Sequence, residues 1–162
     1  MNRDNKLKVS VEFGELTGNF EGTPDEVVRA LLTSITNIYP SLELAKKLVF
    51  QPDLSKLANS LVGLVKFAPE GLLFLINDVP AEDAIIVSLV GSYLGYRLGK
   101  IDSDTYSAKD LAKITGKALK TISNQLACVI DDGLVERVER GQYRITSLGI
   151  TMFEKIVQKI RS

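Results

Sequence analysis

The sequence predicts an α+β fold, in which a ββαααββ module precedes a helical half that closes on a hairpin and a final helix. Three observations carry this expectation. Residues 8–13 alternate strictly between polar and apolar, as a half-buried strand does. Thr23-Pro24-Asp25-Glu26 is a strong helix start. The turn cluster Asn77-Asp78-Val79-Pro80 separates two halves of different character, setting domains at 1–78 and 79–162.

In chain order, Val9, Val11 and Phe13 share one face of the first strand, and Gly14-Glu15 turns the chain into a second strand over Leu16 to Glu21. Thr23 then caps a helix, with Pro at its first position and Glu26 three residues on as a capping box. Val27, Leu31, Ile35 and Ile38 mark its apolar face, which ends before Pro40. Ser41 caps a second helix that carries Leu42, Ala45, Leu48 and Val49 inward. Asp53 caps a third with Leu54, Leu57, Ala58 and Leu61. A second hairpin, Leu64 to Phe67 and Leu72 to Ile76, turns at Pro69-Glu70-Gly71. Leu72-Leu73-Phe74-Leu75-Ile76 has no polar face, so both of its sides need cover from the other domain, a subunit or a ligand.

Beyond Pro80 come an apolar helix from Ala81 to about Leu98, a helix from Ser107, a tight turn at Thr115-Gly116, and a third helix. That helix buries Ile122, Leu126, Val129 and Ile130 and stops at Asp131-Asp132-Gly133, where glycine can take positive φ. Leu134 to Glu139 and Gln142 to Thr146 form a hairpin with Arg140-Gly141 at its tip, and a last helix starts near Ser147. The phrase Gly133-Leu134-Val135-Glu136-Arg137, followed by Tyr143-Arg144-Ile145-Thr146-Ser147-Leu148-Gly149, resembles the winged helix-turn-helix family over about the last half of the chain. The resemblance implies a DNA-binding protein, a dimeric transcriptional regulator that reads duplex DNA.

The residue types fit that implication. A helix entering the major groove needs a polar outer face, which Lys117, Lys120, Thr121, Asn124 and Gln125 supply. Between Thr105 and Leu126, four lysines (Lys109, Lys113, Lys117, Lys120) stand against Asp110 alone, a local charge of +3 in a chain of net charge zero. Arg137, Arg140 and Arg144 fall where a wing would meet the phosphate backbone or minor groove. Phosphate contacts would position the domain, and Thr121, Asn124 and Gln125 could read base edges. Ala118 departs from the family pattern, which often has Ser or Thr there, and Glu136 and Glu139 add negative charge beside the wing.

Two helices look like interfaces. Gly91, Gly95 and Gly99 recur every fourth residue. Each helix-interior glycine costs about 0.8–1 kcal/mol relative to alanine, so the spacing calls for close approach by a neighbour in this chain or in a partner. The stripe Met152, Phe153, Ile156, Val157 and Ile160 on the last helix is the expected homodimer contact.

Gly18-Asn19-Phe20-Glu21-Gly22-Thr23-Pro24-Asp25-Glu26-Val27 and the ββαααββ order resemble the archaeal single-stranded DNA-binding proteins called ThermoDBP and their relatives. The match is short and carries over no base-binding residue. It implies a cleft for single strands, for which Phe13, Phe20, Phe67 and Phe74 could stack bases and Lys46, Lys47, Lys56 and Lys66 could hold phosphates. Charge points to the other half: residues 1–80 hold 8 basic and 10 acidic groups, the remainder 12 and 10. Single-stranded DNA or RNA binding through the first domain is the alternative to duplex reading, and a protein-only adaptor is a third.

Composition narrows the chemistry. The 162 residues include no His and one Cys, which excludes His-based nucleophile pairs, zincin motifs, zinc fingers and an internal disulfide framework. Asp131 and Asp132 are adjacent and diverge, Asp102 and Asp104 lack a third ligand, and Tyr93 and Tyr96 serve packing equally well. No phosphate-cradling glycine motif follows a strand. The expectation is a cytoplasmic, non-enzymatic protein with no cofactor, no metal and no membrane span, its Cys128 reduced.

Overall fold

Strict alternation makes β1 (Leu7–Phe13) a half-buried strand, and it pairs antiparallel with β2 (Leu16–Gly22) in a register running from Leu7↔Gly22 to Phe13↔Leu16. The computed structural model describes residues 6–13, 16–38 and 48–162. Thr23 caps α1 (Pro24–Ile38) as its sequence requires: its N–H donates to Glu26 Oε2 at 2.9 Å, and the Glu26 N–H returns to Thr23 Oγ1 at 3.4 Å. The Thr23 amide, helped by its hydroxyl, holds the Glu26 carboxyl below its ordinary pKa. α1 packs on both strands through Val27, which is buried. The helix expected from Ser41 lies outside the described residues, apart from its last positions. Leu48 and Val49, expected inward, are 87% and 57% exposed.

The chain divides into compact units at Met1–Gln51 and Pro52–Ser162. The division does not coincide with the boundary expected at 78/79, and the cause is the next long helix. In α3 (Ala81–Arg97), every residue from Asp83 to Ser92 is buried, with Ile85, Ile86, Val87, Leu89 and Val90 at 0% exposure. Full burial of each such side chain contributes roughly 1.5–3 kcal/mol, so a helix apolar on all sides must be wrapped on all sides. Part of the wrapping comes from before the turn cluster. Asp53 caps α2 (Leu54–Leu61) by accepting the Lys56 N–H at 3.0 Å, and Leu57 and Leu61 turn inward. β3 (Val65–Ala68) and β4 (Gly71–Phe74) form an antiparallel hairpin, and α2, β3 and β4 all pack on α3. Asn77–Pro80 is thus a corner inside the second unit, with Asp78 at φ +56°.

The glycine spacing on α3 has two meanings. A methyl on Gly91 would lie 3.1 Å from Leu72 Cδ1, and one on Gly95 would lie 2.6 Å from Phe67 Cε1, so the close neighbour is the β3–β4 hairpin of the same chain. Gly99 instead ends the helix: at φ +64° its N–H donates to the Tyr96 carbonyl while the Lys100 N–H donates to Gly95, a Schellman cap.

The rest of the unit runs β5 (Tyr106–Ser107), α4 (Ala108–Thr115), α5 (Leu119–Asp131), β6 (Val135–Val138), a 3₁₀ turn (Glu139–Gly141), β7 (Gln142–Ile145) and α6 (Ser147–Arg161). β7 is the centre of a three-stranded antiparallel sheet, β5-β7-β6. α6 returns to α3, and its terminal Lys159 donates to Asp83 Oδ2 at 2.9 Å, the carboxylate side chain being only 5% exposed. Arg161 Nη2 donates to the Ser60 and Val62 carbonyls at 3.0 and 2.9 Å, satisfying carbonyls at the end of α2.

The stripe expected to form a homodimer is occupied within the chain. Phe153 and Val157 are buried, and Met152, Ile156 and Ile160 pack half-buried on the same core. The periodicity that marks an apolar face is the same whether the face meets α3 or a second copy. The uniformly apolar stretch after Gly71 also differs from expectation: Leu72 is buried, but Leu73 and Leu75 are 46% and 42% exposed, so the strand's outer face lacks full cover. No helix among the described residues is long and apolar enough to cross a membrane.

Candidate nucleic-acid interface

The segment from Ser107 to Ile145 carries four lysines that form no ion pair among the described residues. Ser107 starts α4 with a full capping box: its Oγ accepts the Asp110 N–H at 3.2 Å, and Asp110 Oδ2 accepts the Ser107 N–H at 3.0 Å and its hydroxyl at 2.6 Å. The one acid among the four lysines is therefore engaged with its own helix end. α4 stops at Gly116, in the left-handed region, and α5 begins two residues later. α4 and α5 pack on each other and on α3, with Leu111, Ile122, Leu126 and Val129 beneath. Asp132 closes α5. The Gly133 N–H then donates to the Ile130 carbonyl and the Leu134 N–H to Val129, with Gly133 at φ +73° as its sequence position foretold.

With Ile122, Leu126 and Val129 inside, the opposite side of α5 is fixed by helical geometry. Lys120, Thr121 and Asn124 are exposed, Gln125 is half-buried, and Lys117 is partly exposed in the turn. Lys109 and Lys113 are exposed on α4. None of the four lysines takes part in an ion pair among the described residues. Ser123 belongs to the same solvent side and escaped the residue-type reading; its place next to buried Ile122 is the signal that finds it. Leu119 is 43% exposed at the start of α5, an apolar spot on an otherwise polar surface.

The hairpin contributes less charge than its arginines promise. Arg144 sits opposite Glu136 in the β6–β7 register and donates through Nε and Nη2 to Glu136 Oε1 at 2.9 and 2.8 Å, with Asp104 Oδ2 3.9 Å from Nη1. Donating these hydrogen bonds to Glu136 raises the Arg144 pKa, and the guanidinium charge is locally neutralised. Arg144 is therefore a sheet cross-link, not a free contact for phosphate. Arg137 is exposed on β6, opposite Tyr143. Arg140 lies in the tip turn, and its side chain is outside the described atoms.

The set expected to hold single strands is spread over both units. β1–β2 and β3–β4 are separate two-stranded sheets, the first with Phe20 in one unit and the second with Phe67 and Phe74 in the other. Phe67 and Phe74 pack half-buried on the core of the second unit, Phe67 against Gly95. Lys56 pairs with Glu154 at 2.6 Å, and Lys66 is exposed. Lys46, Lys47 and the Phe13 side chain lie outside the described residues. Among the described residues, no group of three or more His, Cys, Asp or Glu is placed to hold a metal ion. The chain matches no protein-family model, no curated protein and no solved structure.

Proposed function

We propose that the chain is a regulator of transcription that binds duplex DNA through α4, its turn and α5. The observation that carries this reading is the exposed side of α5, where Lys120, Thr121 and Asn124 stand beside three further lysines, none of them in an ion pair among the described residues. The element order β5-α4-α5-β6-β7, with β5 hydrogen-bonded to β7, supports a winged helix-turn-helix. In such an arrangement the lysines neutralise phosphates and fix the register, while Thr121 and Asn124 reach base edges in the major groove. The hairpin adds Arg137 on the flank.

Fluorescence anisotropy on duplex and single-stranded oligonucleotides at two salt concentrations tests the reading. Four phosphate contacts give a log K against log[salt] slope of about −3 to −4 on duplex DNA. Lys120→Ala combined with Asn124→Ala should weaken duplex binding at least tenfold and flatten the slope by about one. Equal affinity of the double variant, or absence of salt-dependent duplex binding, overturns it. Preference for single strands that survives the double substitution would assign the binding elsewhere in the chain.

A further inference from the structure

We propose that the cleft between the β3–β4 hairpin and α4 binds a free α-amino acid with a large apolar side chain. The cleft measures about 360 Å³, near the lower end of the ~300–1,000 Å³ typical of small-molecule sites, so its occupant is small. Its floor is apolar: Leu72 is buried, and Phe74, Tyr106 and Ile114 are half-buried along it. Its rim carries opposite charges from different elements, Glu70 in the hairpin turn and Lys113 on α4. Both are exposed, and neither is ion-paired, with the other or with any described residue. Asp110, the remaining charged group of the wall, is already engaged by Ser107.

This charge pattern selects the ligand class. A phosphate or nucleotide would bring its negative charge to Glu70. An apolar acid would satisfy Lys113 and leave Glu70 without a partner, and an apolar amine would do the reverse. A zwitterion with ammonium toward Glu70 and carboxylate toward Lys113 satisfies both, and its side chain lies on the floor formed by Phe74 and Ile114. Charge-assisted hydrogen bonds at the rim strengthen as the side chain displaces water from the apolar floor.

Lys113 belongs also to the proposed DNA interface, but the measurement contains no DNA, so its failure is distinct from the failure of DNA binding. Isothermal titration of the full chain with L-leucine and L-phenylalanine should give saturable one-site binding. N-acetylation, which removes the ammonium, or conversion to the amide, which removes the carboxylate, should each weaken binding about tenfold or more. Glu70→Gln should weaken the free amino acid to the same extent and leave the N-acetyl derivative unchanged, and Lys113→Gln should behave likewise toward the amide. Both residues are on the surface, and circular dichroism verifies that each variant is folded. Absence of saturable binding at millimolar amino acid, or equal affinity in both variants and both derivatives, overturns the proposal.

Discussion

Gly149, the third residue of α6, is set by a contact no local rule contains. A methyl there would strike the Leu134 carbonyl oxygen and lie 2.5 Å from Ile145 Cδ1. That carbonyl cannot easily move, since it accepts the Thr146 N–H at 3.0 Å and the Thr146 hydroxyl at 3.0 Å. Alanine favours a helix over glycine by about 1 kcal/mol, yet overpacking of this kind costs about 1–3 kcal/mol. Gly149→Ala should therefore lower the urea midpoint; a raised midpoint would show that the α6 entry can shift. Phe153 answers a second question at this scale. Burial inside its own unit means that Phe153→Ala should cost ~3–5 kcal/mol and leave the mass in light scattering unchanged. A change of mass with little loss of stability would return the residue to an interface.

At the scale of elements, the helix starts were legible because capping is local chemistry. Thr23, Asp53 and Ser107 each bond the backbone within three residues, and the same three residues mark the starts in the sequence. α3, which starts after Pro80, and α5 lack a side-chain cap. Ala118 precedes α5 with extended φ/ψ, so Ala118→Ser should add about 0.5–1 kcal/mol, seen as a higher Tm. No gain would mean that the hydroxyl cannot reach the free N–H groups. The polar side of α5 was also legible, since it follows from the spacing of Ile122, Leu126 and Val129. The pairing of Arg144 with Glu136 was not. It depends on the register of β6 against β7, and a shift of one residue would have pointed them apart.

For the whole molecule, the main core runs from Leu57 to Val157 and lies wholly within the second unit. A fragment of residues 52–162 should accordingly melt cooperatively and, on the proposed function, keep the duplex affinity of the full chain. A fragment beginning at residue 79 lacks α2 and the hairpin, exposes one side of α3, and should be markedly less stable. Equal cooperativity of the two fragments would restore the boundary to the Asn77–Pro80 turn. That turn reads as a linker because Asn, Asp and Pro break local structure, and they do so equally at a corner within a unit and at a join between units.

What the sequence determined by itself was local: the strand alternation, the caps, the ends at glycine, the inward faces of the helices, and the absence of histidine chemistry. Each depends on residues a few positions apart and on their own hydrogen bonds and periodicity. The tertiary structure alone decided which apolar face meets which. It wrapped α3 with the hairpin, brought Gly91 and Gly95 against Leu72 and Phe67, occupied the α6 stripe, neutralised Arg144 and left four lysines around α5 unpaired. Hydrophobic burial is non-directional, so a periodic apolar face states that it will be covered, and only the packed chain states by what.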